Sequence, residues 1–166
     1  MPLNHLGITS HHYDELHPFY SATLKPLGYA QKMEFMDGDV RGYGAKYCAP
    51  DFWLARARKE EDGSTTSTTP PNTATGSPLH FAFTARTRNE VRAFYDAAIA
   101  AGGKCNGPPG VRPQYFFSYY GAFILDPEGR NIEAVCLKPG FWAEEWSWPV
   151  WAGLGGAVAA GAAYWF

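Results

Sequence analysis

His80-Phe81-Ala82-Phe83-Thr84 repeats the pattern of His5-Leu6-Gly7-Ile8-Thr9 at a distance of 75 positions, and this pair decides the fold. The same offset carries Glu15 to Glu90, Phe19-Tyr20 to Phe94-Tyr95, Ala22 to Ala97 and Gly28 to Gly103. Similarity at a fixed spacing marks a duplicated unit. Each copy opens on a short apolar run with strand character. A helical pattern follows, through Tyr13, Leu16, Tyr20 and Leu24 in the first copy and Val91, Phe94, Tyr95 and Ala98 in the second.

Three more strands complete each copy. In the first they are read at 29 to 36, 40 to 47 and 51 to 57, with Gly28 suited to the left-handed helix cap and Asp37-Gly38-Asp39 as a hairpin turn. In the second, strand 79 to 86 leads into Thr87-Arg88-Asn89-Glu90, a capping box. Strands at 103 to 107, 118 to 126 and 131 to 137 follow, and Asp126-Pro127-Glu128-Gly129 forms the last turn. The fold expected is α+β: two tandem βαβββ modules, at 1–57 and 79–138, whose mixed sheets curl around a central cavity. Residues 58–78, rich in Ser, Thr, Pro and Asn, read as a flexible linker.

Working outward, 14 basic and 16 acidic residues give a net charge of -2 without a basic stripe, which speaks against nucleic acid as a partner. Cys48, Cys105 and Cys136 are odd in number and not closely paired, so reduced thiols in the cytoplasm are expected. The start at Met1 shows no basic leader or secretory h-region. The segment 139–166 reads as an apolar Trp/Ala/Gly-rich tail. Trp146 to Phe166 holds no charged residue, and as a helix its 21 residues would span about 31 Å, roughly a bilayer core. Trp146, Trp148 and Trp151 at one end and Tyr164-Trp165 at the other resemble interfacial belts, so membrane contact through 146–166 is one reading. Against it, Pro149 would disturb the first turns, and the Ala/Gly centre offers little transfer free energy; packing on the domain or on a partner is the other reading.

A pseudo-twofold relation between the modules would bring His5 and His80 to one site, and paired imidazoles invite a metal. If the final strands also correspond, with five further residues of offset, Glu133 falls opposite Trp53. Glu133 lies between Ile132 and Ala134 in an apolar strand, where an unpaired carboxylate would cost several kcal/mol or take up a proton. A divalent ion held with His5 and His80 would neutralise it, as would pairing with Arg112 or Arg130. Each histidine alone could equally be a half-buried strand residue with a backbone partner. His11, His12 and His17 have no counterparts in the second copy and read as surface or helix-entry residues.

These residues carry a family resemblance over about residues 1 to 138. His5-Leu6-Gly7-Ile8, Phe19-Tyr20, Leu27-Gly28-Tyr29, His80-Phe81-Ala82-Phe83 and the long stretch from Tyr119 to Val135, with Asp126-Pro127-Glu128-Gly129-Arg130-Asn131-Ile132-Glu133, resemble the vicinal oxygen chelate superfamily. That superfamily includes glyoxalase I, extradiol dioxygenases, fosfomycin-resistance thiol transferases and bleomycin-resistance proteins. The resemblance implies paired modules around a metal, with His5, His80 and Glu133 at three ligand places. The fourth place holds Trp53 or Leu54, which cannot bind a metal, and this makes the set look more like the His, His, Glu trio of the dioxygenases and thiol transferases.

The expected function is a metal-dependent enzyme chelating vicinal oxygens of a small substrate, dioxygenase-like chemistry being preferred over lyase or thiol-transfer chemistry. The ion expected is Fe2+ or Mn2+, with Zn2+ or Ni2+ as alternatives. A metal-free ligand-binding protein of the bleomycin-resistance type is the contrasting expectation. Trp53 and Arg112 are candidates for substrate binding, Tyr115, Tyr119 and Tyr120 for proton donation. A homodimer is expected, with the modules closing within one chain or exchanged between two.

Overall fold

The computed structural model describes residues 3–57 and 79–144. The linker expected at 58–78 and all of the tail beyond Glu144 lie outside the described residues. The first module runs β1 (Leu6–Ser10), α1 (Tyr13–Leu24), β2 (Tyr29–Phe35), β3 (Val40–Ala45) and β4 (Phe52–Arg56). The second runs β5 (His80–Thr84), α2 (Arg88–Ala100), β6 (Lys104–Val111), β7 (Tyr120–Leu125) and β8 (Asn131–Cys136), followed by the single turn α3 (Gly140–Ala143). Two four-stranded mixed sheets result, in the orders β1-β4-β3-β2 and β5-β8-β7-β6.

The duplication holds down to register. Leu6 pairs with Phe52 across the parallel β1–β4 ladder, and Phe81 pairs with Ile132 across β5–β8. Gly7 therefore faces Trp53 as Ala82 faces Glu133, so Trp53 and Glu133 are structural counterparts. β6 extends well past the expected 107, to Val111, with register shifts near Cys105, Gly107 and Gly110 where the ladder to β7 is irregular.

Alternation along the strands sorts the side chains onto two faces. Ile8 on β1, Phe52 and Leu54 on β4, Phe81 and Phe83 on β5, and Ile132 and Ala134 on β8 point toward the helices and join one hydrophobic core. Into it α1 sends Leu16, Phe19, Tyr20 and Leu24, and α2 sends Val91, Phe94 and Ala98. The Phe52 ring meets both Phe81 and Phe83, at 5.7 and 5.6 Å between centroids, so the modules share their core across the helix-side faces. Gly103 sits where α2 leads into β6; a Cβ there would come within 2.7 Å of Ile124 Cγ2 and 3.0 Å of Phe19, which explains glycine at this point of close approach.

A buried polar latch also joins the modules. Asp126, in the β7–β8 turn, accepts from the Tyr20 hydroxyl of α1 at 2.7 Å and from the Arg130 guanidinium at 3.0 Å, all three residues being buried. Glu128 of the same turn accepts from Ser10 Oγ at the end of β1, at 2.7 Å, and also pairs with Arg130. Arg130 is thus engaged here and does not neutralise Glu133.

The helix caps follow the sequence in part. Gly28 takes the left-handed conformation with φ 79°. Thr87 caps α2 by accepting the Glu90 N–H at 3.1 Å, whereas the Glu90 carboxylate reaches back one residue further than a capping box requires, to the Arg86 N–H and guanidinium. The β2–β3 turn is shifted: Met36 and Asp37 have positive φ, with Gly38, in a tight turn beginning one residue before the expected Asp37-Gly38-Asp39.

Candidate functional site

The face of the second sheet turned away from the helices carries the chemistry. Glu133 projects there from β8 and is 2 % exposed, while His80, diagonal to it on β5, is 48 % exposed. His80 Nδ1 lies 3.1 Å from the Asn131 carbonyl oxygen, and Nε2 lies 3.4 Å from Glu133 Oε2. Both ring nitrogens thus face oxygen acceptors, the Asn131 carbonyl on Nδ1 and the Glu133 carboxylate on Nε2. The other carboxylate oxygen, Oε1, accepts from the Tyr119 hydroxyl at 2.5 Å. One oxygen of Glu133 is therefore held by Tyr119 and the other is offered toward His80.

Burial pushes the Glu133 carboxyl above the ordinary carboxylate range, and the Tyr119 hydrogen bond and the neighbouring His80 and Arg112 only partly oppose it. Tyr119 is raised in turn, by burial first and then by its bond to the carboxylate, so it acts as a donor at neutral pH. Space for the carboxylate is made by Gly121 on β7: a Cβ there would lie 2.7 Å from Glu133 Oε1. This glycine was not among the candidates from sequence; the signal was its place two residues before Phe123, which is itself paired with Glu133.

The other candidates sort by face. Tyr115 packs edge-on against Tyr119, with centroids 5.2 Å apart, and extends the site outward. Arg112 lies over the Phe123 ring at 5.7 Å, with its guanidinium donating to the Pro108 carbonyl at 2.6 Å; Phe123 in turn stacks on His80. Tyr120 is a correction. One residue on from Tyr119, it points to the helix side, where Arg92 donates to its hydroxyl at 3.2 Å and Arg88 covers its ring, so it lies apart from Glu133.

His5 stands apart from His80 and Glu133 within the chain. Its ring bonds Asn4 at 2.8 Å, and among the described residues no three His, Cys, Asp or Glu side chains gather as a metal site. His5 lines a cleft of about 770 Å³ between the modules, with Tyr29, Lys46, Asp51 and Phe83, and neither His80 nor Glu133 borders that cleft. The physical reason is the packing: Phe52, Phe81 and Phe83 join the sheets, and the cleft beside them takes in His5 together with Ala82 and Thr84 of β5 but not His80 or Glu133. Trp53 stacks on Phe35 with centroids 5.9 Å apart and an interplanar angle of 18°, over Gly42, which has no side chain to obstruct the indole.

The sequence profile of the Glyoxalase/Bleomycin resistance protein/Dioxygenase superfamily matches residues 3–134, the span of both modules. The chain belongs to this superfamily. Among solved structures of the superfamily, a glyoxalase/bleomycin resistance protein from Albidiferax ferrireducens T118 is 25% identical, with a TM-score of 0.60 over 80% of this chain and 97% of that one. A glyoxalase/bleomycin resistance protein/dioxygenase family enzyme from Burkholderia phytofirmans PsJN shares the fold at 17% identity, with a TM-score of 0.56 over 83% of this chain and all, 100%, of that one. The lactoylglutathione lyase from Agrobacterium tumefaciens does so at 17% identity and a TM-score of 0.51, over 80% of this chain and 90% of that one. No curated protein matches the chain. Superfamily members include glyoxalases and dioxygenases, and the paired βαβββ modules seen here are their common frame.

Proposed function

We propose that this chain is a small-molecule enzyme of the glyoxalase/dioxygenase type, whose site is the open face of the second sheet completed by the first module of a second copy. The observation that supports this most is the Tyr119–Glu133–His80 arrangement, in which two metal-ligating atoms, Oε2 and Nε2, are 3.4 Å apart and each is oriented by a hydrogen bond on its far side. His80 and Glu133 would hold a divalent ion, Fe2+ or Mn2+ before Zn2+ or Ni2+, and His5 of a second copy would supply the third donor. When bound, the ion would act as a Lewis acid on vicinal oxygens of the substrate.

The remaining work falls to side chains. Tyr119 keeps Oε1 engaged, so Glu133 offers a single oxygen. His80 is fixed in orientation by Asn131. Arg112, over Phe123, places positive charge beside the site and suits an oxyanion or carboxylate on the substrate. Trp53, at the place where a fourth ligand would sit, walls the site with an aromatic face. The His, His, Glu set favours dioxygenase-like chemistry over glyoxalase-type lyase or thiol-transfer chemistry.

Metal content of the purified chain, compared with His80→Ala and Glu133→Ala, tests the proposal. Stoichiometric divalent metal in the parent and its loss in both variants is the expected result; a parent with no affinity for any divalent ion removes it. The Trp53–Phe35 stack supports a second reading, a metal-free binder of planar ligands. Undiminished ligand binding after chelation, together with its loss in Trp53→Ala, would favour that reading.

A further inference from the structure

At one end of the second module an aromatic ledge faces solvent, and apart from Tyr115 at its edge nothing in the proposed chemistry uses it. The loop between β6 and β7 contributes Tyr115, Phe116 and Phe117, 62 %, 49 % and 71 % exposed, and the end of β8 with α3 contributes Leu137, Phe141 and Trp142, the last 71 % exposed. The two segments are tied together by Ser118 Oγ, which donates to the Leu137 carbonyl at 2.5 Å. Phe116 and Phe117 pack on each other with centroids 4.5 Å apart, so the loop presents a joined apolar surface and not scattered rings. Exposed apolar patches of this kind mark an interaction surface.

We propose that this ledge docks on the interfacial layer of a lipid bilayer. Three observations choose that partner. First, the ledge lies where the described chain runs on into Trp146 to Phe166, 21 residues without a charge and with Trp near both ends, so the polypeptide leaving the ledge is itself of membrane-compatible composition. Second, the ledge is built from Phe, Tyr and Trp, whose rings partition to the headgroup boundary. Third, exposed Lys138 lies between Leu137 and Phe141 and supplies a cation for an anionic headgroup, while of the two acids that follow in sequence, Glu144 and Glu145, the first is taken up by Arg92 at 2.6 Å. Because Tyr115 packs on Tyr119, docking sets the His80–Glu133 face beside the bilayer surface. The surface claim is independent of any metal.

Flotation of the full-length chain with vesicles of phosphatidylcholine, with and without phosphatidylglycerol, tests the proposal. The parent is expected to float with vesicles, more so with the anionic lipid, and Phe117→Ser/Trp142→Ser in the full chain to lower the partition coefficient roughly tenfold or more. Phe116→Ser/Leu137→Ser serves as a second variant, and an unchanged Tm in either shows that the fold is retained. A parent that stays with the soluble fraction overturns the proposal. Equal flotation of parent and variants also overturns it, because the tail alone would then account for binding. A parent that runs larger than the variants on size exclusion while neither floats assigns the ledge to a second copy instead.

Discussion

Tyr20→Phe removes one hydroxyl from the latch between the modules. That hydroxyl donates to a buried carboxylate, Asp126 Oδ2, at 2.7 Å, from a side chain with no exposed surface. Asp126 retains the Arg130 guanidinium at 3.0 Å on the same oxygen and two backbone N–H donors, from Glu128 and Arg130, on Oδ1. The carboxylate is therefore not stranded, and the loss is that of one hydrogen bond to a charged acceptor, about 2 kcal/mol. For a chain of this size that corresponds to a fall in Tm of about 4 to 8 °C. Tyr29→Phe is the matched control, since its hydroxyl donates to exposed Asp51 at 2.9 Å and its loss should cost less than about 1 kcal/mol. Thermal and urea unfolding of the parent and both variants would measure the difference. If Tyr20→Phe unfolds at the same temperature as Tyr29→Phe, the latch does not hold the modules together as argued.

Two further predictions concern the site. Gly121→Ala should push the Glu133 carboxylate off Tyr119, because the new Cβ would lie 2.7 Å from Oε1; a loss of divalent-ion affinity with a modest stability cost of about 1 to 3 kcal/mol is expected, read by titration calorimetry and thermal melts. Glu133→Gln should change the pH dependence of stability in metal-free protein. Since burial raises the folded carboxyl above its ordinary 4.5, the folded state binds the proton more tightly than the unfolded chain. The contribution of Glu133 to stability is thus most favourable below the unfolded pKa, declines as pH rises through the folded pKa and is flat beyond; the Gln variant should lack that decline in a series of melts.

Much of the fold was legible because the duplication leaves marks that depend on local sequence. Alternation in β1 and β5, the apolar faces of α1 and α2, and the five-residue difference that sets Glu133 against Trp53 all depend on strand and helix periods read from one segment at a time. The convergence of His5 with His80 was not legible, because it depends on which faces of two finished sheets meet. Core-facing Phe52, Phe81 and Phe83 settle that by packing on one another, which leaves His5 at the cleft between the modules and His80 on the outer face of the second sheet. Tyr119 and Tyr120 show the same limit on a smaller scale. Adjacent in sequence, they fall on opposite sides of the sheet, and only the register of β7 against β8 tells which one reaches Glu133.

Mixing two inactivated chains tests the central claim most directly. His5→Ala and Glu133→Ala are purified separately, shown to bind no divalent ion, then unfolded together and refolded as a mixture. If sites form between copies, a mixed dimer holds one site with both lesions and one with none, and the mixture should regain metal up to about half a site per mixed dimer's chain. Metal that stays absent from the mixture while a parent treated alike recovers its full content would contradict a site shared between copies.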